Sequence, residues 1–254
     1  MQLTRRPPSL AVQLVDLLQI ELTNWRWSWR SMVITGTLAP LFSMLALSVF
    51  ARDSGPSTLA YIMTGNLVLG LMFGNLDNVA SRFSFMRFMG NLDYYATLPI
   101  HKYMLILATF LAFLLLSLPS LVVTTVCGWL VLHIALAPSP LLILIVPLCA
   151  ISLSGIGALI GCVSRTPQEA GSLSLLFTLF LVAAGPVIIP PDRLPGVALA
   201  LGRLSPATYA ASALRQALLG PVTGQIVVDI AVLLAVTAIV FALVVRVLDW
   251  RVSS

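Results

Sequence analysis

Six stretches of this chain, at about residues 31–50, 57–80, 104–133, 140–162, 171–189 and 225–248, run almost without a charge. Each is close to the roughly 20 residues a helix needs to cross the hydrocarbon core of a bilayer. In that solvent every backbone N–H and C=O must pair within the protein, which leaves helices or a closed barrel. Barrel strands alternate apolar and polar residues over about ten positions. These runs do not alternate, so they predict helices. Composition agrees: 59% of the 254 residues are apolar and 9% are charged, where soluble domains carry about a quarter charged. The expected fold class is an all-α integral membrane protein with six transmembrane helices. Residues 1–30 would form a tail and an interfacial helix, and residues 31–254 a single six-span domain.

The third stretch is long and contains Pro119, and Pro40, Pro147 and Pro186 fall within others. Membrane helices tolerate such prolines as kinks. Gly70-x-x-x-Gly74 and Gly157-x-x-x-Gly161 predict close helix approach, read as ordinary packing within the chain. Cys127, Cys149 and Cys162 lie in apolar runs and read as small buried hydrophobes, with neither metal-ligand nor disulfide spacing. The chain has two histidines, too few to suggest a metal site. Its net charge of +5 reports topology rather than affinity for nucleic acid.

Ser9 precedes a helix predicted over Leu10–Asn24 and would cap it. Ala11, Leu14, Val15, Leu18 and Leu22 share one face, and Gln13, Asp16, Gln19 and Thr23 the other. The segment is too short and polar to span, so it predicts an amphipathic helix lying in the interface. "NWRWSWR" (24–30) then marks the headgroup level with alternating Trp and Arg. The first long apolar run begins only after residue 30, so a cleavable signal peptide is not expected. With the amino terminus inside, Arg5, Arg6, Arg26, Arg30, Arg82, Arg87, Lys102, Arg165, Arg246 and Arg251 fall on one side. Arg52, Arg193, Arg203 and Arg215 fall on the other. The excess of basic residues predicts that both termini are cytoplasmic.

Catalytic groups are sparse. "SLSG" (152–155) is similar to the Gly-x-Ser-Gly of rhomboid-like intramembrane proteases, but a serine replaces the leading glycine. A hydrolase would use Ser154 and His133, although His133 also reads as an interfacial histidine. No Gly-x-x-x-x-Gly-Lys-Ser/Thr phosphate loop surrounds Lys102, the only lysine. An ion-coupled secondary transporter would rest on Asp77 or Asp229. Asp77 is expected near the cytoplasmic end of its span, solvated or paired with Arg82. Asp229 is expected near the outer interface.

Between the second and third apolar runs lies "RFSFMRFMGNLDYYATLPIHKY" (82–103), the most polar long stretch between spans. A short helix here would lie across the mouth of two spans. Met86, Leu92, Tyr94 and Tyr95, exposed on it, would fill a groove on another protein, since aromatics flanked by polar groups anchor such contacts. A loop with its aromatics in the headgroups fits the same residues.

Within that stretch "GNLDYYATLPI" resembles the Gly-Thr-Leu-Asp/Glu…Leu-Pro-Ile segment of permeases in the ABC type 2 exporter family. "LPGVALALGRLSPATYAASALRQALLG" (194–220) resembles that family's signature before the last span: Leu-Pro, a short helix, Asn-Pro-x-Thr-Tyr, Ala-Leu-Arg and a closing Gly. Asn91 and Ser205 depart from the usual Thr and Asn, both small polar exchanges. The order and spacing of the motifs extend the resemblance over essentially the whole chain.

The resemblance implies a dimer of permeases in the cell (inner or plasma) membrane of a bacterium, with two ATP-binding subunits beneath; a homodimer is expected, and pairing with a related chain is the alternative. This chain would be no enzyme and would bind no cofactor, while ATP and Mg²⁺ would sit on the partner subunit. Residues near position 90 would form a coupling helix, with Arg87, Asn91, Leu92, Asp93, Tyr94, Tyr95 and Pro99 as contact residues. The amino-terminal helix would cradle the ATP-binding subunit. Short re-entrant helices, broken at Pro190, Pro191, Pro195 and Pro206 and including Ser205, Tyr209 and Arg215, would close the outer side. Arg215 would hold them through a carboxylate or carbonyl partner, with Asp192 one candidate, or simply snorkel. Cargo would pass along the dimer interface, built largely from the first, second and fifth spans. Apolar spans with few charges suit a hydrophobic or amphipathic cargo such as a drug or lipid.

Overall fold

The computed structural model describes residues 9–25, 29–50 and 55–248. Of the basic residues used to orient the chain, Arg5, Arg6, Arg26, Arg52 and Arg251 lie outside them, as does Trp27 of the Trp/Arg stretch. The described residues contain no strand. They form α1 (Leu10–Asn24), α2 (Trp29–Phe50), α3 (Pro56–Leu71), a π-helical segment (Met72–Asp77), α4 (Asn78–Phe88), α5 (Asn91–Thr97) and α6 (Lys102–Leu132). After these come α7 (Leu142–Val163), α8 (Pro167–Ala183), a single 3₁₀ turn (Pro191–Arg193), α9 (Gly196–Gly202), α10 (Pro206–Leu219) and α11 (Gln225–Val247). The protein is an all-α membrane protein.

Five helical stretches are long and apolar enough to cross a membrane: Met32–Val49, Ser57–Phe88, Lys102–Leu132, Leu142–Val163 and Gln225–Val247. The sixth expected span, 171–189, is displaced and shortened to α8. Thr166 caps that helix by accepting from the Glu169 N–H, and Pro167 takes its first position, which fixes an earlier start. Gly185 and Pro186 follow its end. Its 17 residues span about 25 Å, at the lower limit for a bilayer.

The second span also departs from expectation. It does not end near residue 80 but continues unbroken through the π segment to Phe88. Asn side chains hold that segment: Asn78 donates to the carbonyls of Phe73 and Gly74, and Asn75 to the Leu71 carbonyl and the Ser117 hydroxyl of α6. Such local bonds supply alternatives to the regular helical ladder.

Packing follows the small residues. A Cβ on Gly157 or Gly161 of α7 would collide with the carbonyl oxygens of Leu76 and Ala80, so α7 lies backbone to backbone on the second span. Two large buried clusters result. One joins Leu71, Leu76, Cys149, Leu153, Ala210 and Leu214. The other joins Leu17, Phe83, Leu92, Phe110, Phe113 and Val244. α1 and α5 therefore sit at one end of the bundle, here called the near face. The 3₁₀ turn, α9 and α10 sit at the other, the far face, where the 133–141 connection bonds to the end of α10 through Ala137 and Ser139.

Candidate functional site

At the near face, Gly90 ends α4 in the left-handed region (φ 70°), which turns the chain abruptly into α5. α5 is a seven-residue helix, so its two faces are easily separated. Leu92 (1% exposed) and Tyr95 (7%), three residues apart, point into the cluster of Leu17, Phe83, Met86 and Leu105. Asp93 and Tyr94 point away, with Tyr94 65% exposed. Asn91 is half-buried and Pro99 exposed. The expectation that Met86, Leu92, Tyr94 and Tyr95 are all displayed to a partner is therefore corrected: only Tyr94 of the four is exposed. A helix cannot show i and i+3 to the core and also to solvent.

Arg87 belongs to α4 rather than to the short helix. It donates to the carbonyls of Cys162 and Ser164 at the end of α7, where a cation also meets the negative end of the helix dipole. It ties the end of α4 to the end of α7. Burial, followed by the nearby Glu21 carboxylate, pushes the Tyr95 phenol above its ordinary value, so it stays protonated.

α1 has the predicted bounds but presents a different face. Gln13, Leu17 and Glu21, spaced by four, are its buried residues, although Gln13 was expected among the solvent-facing ones. The reason is partnership. Glu21 accepts two hydrogen bonds from Arg82, from Nε at 3.0 Å and Nη2 at 2.8 Å, and both side chains are almost fully buried. Gln13 accepts from the His101 backbone N–H at 3.2 Å. α1 is thus pinned both to α4 and to the residue that leads out of the α5 segment. Ser9 stands at the N-cap without a side-chain capping bond. The expected Asp77–Arg82 pair does not form. Arg82 is engaged by Glu21, and Asp77 accepts from Thr178 of α8 at 3.3 Å.

At the far face, Pro191, Pro195 and Pro206 each start an element, at the 3₁₀ turn, before α9 and at the first position of α10. Ser205 does not cap α10; its hydroxyl donates to the Leu181 carbonyl. Tyr209 donates to the Arg203 carbonyl at 2.7 Å. Arg215 lies with its guanidinium carbon 3.4 Å from the centre of the Tyr61 ring, and donates to the Thr64 hydroxyl and the Val187 carbonyl. Of its expected partners the carbonyl is present and Asp192 is not. Asp229 is fully buried and accepts from Ser212, Gln216 and Gln225.

Sequence reasoning missed Glu21, Arg82 as its partner, and Gln13 as an anchor. Gln13 and Glu21 lie on the same line of α1 as the buried Leu17, one turn to either side of it. No hydrogen bond joins Ser154 to His133, so a nucleophile–base pair is not assembled there. Among the described residues no group of three His, Cys, Asp or Glu side chains is placed to hold a metal ion.

Residues 12–219, well over half of the chain, match the ABC-2 type transporter family. The chain belongs to that family. It is an ABC-type permease subunit, a multi-pass membrane protein whose family works with an ATP-binding subunit. No curated protein matches its sequence. The matched residues run from α1 through α10, so both the near-face helix α5 and the far-face helices of this permease lie within the family region.

Proposed function

We propose that this permease is the membrane half of an ATP-driven exporter. It works as a homodimer and moves a hydrophobic or amphipathic, drug-like or lipid-like cargo outward. The observation that carries the reading is the two-sidedness of α5: Leu92 and Tyr95 root it in the core while Asp93 and Tyr94 are exposed, as is Pro99. A lever needs both a grip and a root. Movement of the ATP-binding subunit against Asp93 and Tyr94 passes through Leu92, Tyr95 and Arg87 into α4 and α7. α4 continues through the π segment into α3, whose Tyr61 and Thr64 meet Arg215 at the far face. The far-face helices close the outer side of the path.

In this reading the near face is cytoplasmic and both termini lie there, in the cell (inner or plasma) membrane of a bacterium. The described basic residues support it: Arg30, Arg82, Arg87, Lys102, Arg165 and Arg246 gather at the near face, against Arg193, Arg203 and Arg215 at the far one. Ile34, Leu38, Phe42, Leu45 and Val49 form an exposed apolar stripe along α2, the surface on which the second copy would pack. ATP and Mg²⁺ belong to the partner, and this chain supplies no catalytic residue.

The test is co-purification of an ATP-binding protein with the tagged permease, followed by transport in sealed inside-out vesicles. ATP-dependent accumulation of a hydrophobic dye supports the exporter. Accumulation driven by an ion gradient without ATP overturns it.

A further inference from the structure

Between the end of α1, α4 and the start of α8 lies a cleft of about 300 Å³, lined by Asn24, Trp25, Ser81, Arg82, Phe85 and Pro167. That volume is at the lower end for small-molecule sites. Three features bear on its occupant. Trp25, Phe85 and Pro167 form an apolar wall. Asn24, Ser81 and Arg82 bring hydrogen-bonding groups to the same space. Arg82 is only 8% exposed, and Glu21 occupies its Nε and Nη2; its Nη1 meets no acceptor among the described residues. In the same lining the indole N–H of Trp25 is buried without an acceptor, and a buried donor left so is costly.

Depth narrows the choice. Trp25 of the cleft wall accepts from the Trp29 backbone N–H at 2.9 Å, and the Trp29 ring lies 5.7 Å from the Arg30 guanidinium. Trp and Arg are the residues of the membrane–water boundary. Phe85, 42% exposed, offers apolar surface beside the polar groups. An occupant here meets donors at headgroup level and an apolar wall alongside, which is the layout of a lipid rather than of a free anion.

We propose that this cleft holds the phosphate-bearing headgroup of a membrane phospholipid, with Arg82 Nη1, Ser81 and Asn24 as donors to the phosphodiester and Phe85 against the glycerol and upper acyl chain. The bound lipid would complete the junction of α1, α4 and α8. The inference rests on the membrane placement alone, not on the direction or cargo of transport.

The experiment is native mass spectrometry of the full-length permease in detergent, titrated with phosphatidylglycerol. Wild type retains one lipid per chain under activation that strips the annular lipids. Ser81→Trp, which fills the cleft, and Arg82→Lys, which keeps the charge for Glu21 but loses the fork, each weaken retention about tenfold, the scale of one lost charge-assisted hydrogen bond. The two variants fail differently if folding is the problem, and a monodisperse elution profile is required of each. Equal retention by wild type and a folded variant overturns the proposal. So does equal retention of diacylglycerol, which lacks the phosphate. Displacement of the lipid by millimolar soluble glycerol 3-phosphate overturns the lipid assignment in favour of a free phosphate ester. Loss of lipid with the ATP-binding partner still co-purifying leaves the coupling reading untouched, so the two are separable.

Discussion

The near and far faces of this permease bury charge in opposite ways. At the near face Glu21 and Arg82 meet directly, in a two-point ion pair between helices 61 residues apart in sequence. Both side chains are almost fully buried. At the far face Arg215 and Asp229 are each surrounded by neutral groups: a ring, a hydroxyl and a carbonyl for the cation, two amides and a hydroxyl for the anion. The difference is one of dependence. A direct pair leaves a bare buried charge when one partner goes, whereas a charge held by several dipoles loses its solvation piecemeal. The near face is thus a single latch between α1 and α4. The far face is a mesh among α3, α10, α11 and the 184–190 turn.

The sharpest way to break this contrast is Glu21→Ala. It strands Arg82, and a loss of about 3–5 kcal/mol in stability is expected. Thermal denaturation in detergent measures it. Replacing the pair together, Glu21→Leu with Arg82→Met, should recover most of the loss, and failure to do so would mean that α1 is held by something else. Asp229→Ala at the far face removes one acceptor from three donors and should cost less, about 1–3 kcal/mol. A larger loss than that of Glu21→Ala would invert the comparison. Arg215→Lys keeps the charge and loses the planar stacking on Tyr61. About 0.5–2 kcal/mol is expected, read in the same denaturation assay. The smallest effect belongs to α5: Asp93→Ala with Tyr94→Ala should leave stability within about 0.5 kcal/mol, because neither side chain is in the core. Leu92→Ala, by contrast, empties a core position and should cost about 2–5 kcal/mol. A binding defect in Leu92→Ala alone would therefore say little about docking.

Much of the fold was legible because hydrocarbon punishes ambiguity. The apolar runs gave α2, α6, α7 and α11 to within about two residues, and helical periodicity gave both ends of α1. The errors lie where local signals compete. α8 was misplaced because the 184–189 stretch is as apolar as the helix before it, and Pro186, expected as a kink within the span, instead follows the helix end at Ala183. The second span was cut short at residue 80 because Arg82 and Arg87 look like a membrane boundary. They are instead absorbed by Glu21 and by the carbonyls at the end of α7. For the candidate site, the segment was legible and its faces were legible in principle, since Leu92 and Tyr95 share a helical face. The latch was not. No local pattern couples Glu21 to Arg82, and a lone carboxylate on an amphipathic helix ordinarily reads as solvated.

The central claim is that α5 grips an ATP-binding subunit with the side that Tyr94 displays. The most direct measurement places a photo-crosslinking benzoylphenylalanine at Tyr94, and in a separate variant at Leu204 on the far face, where the side chain is 83% exposed. Both are irradiated in native membranes. The account predicts an adduct between position 94 and an ATP-binding protein, and none from position 204. An adduct from 204 with that protein, or none from 94 in a permease that still supports ATP-dependent transport, would contradict it.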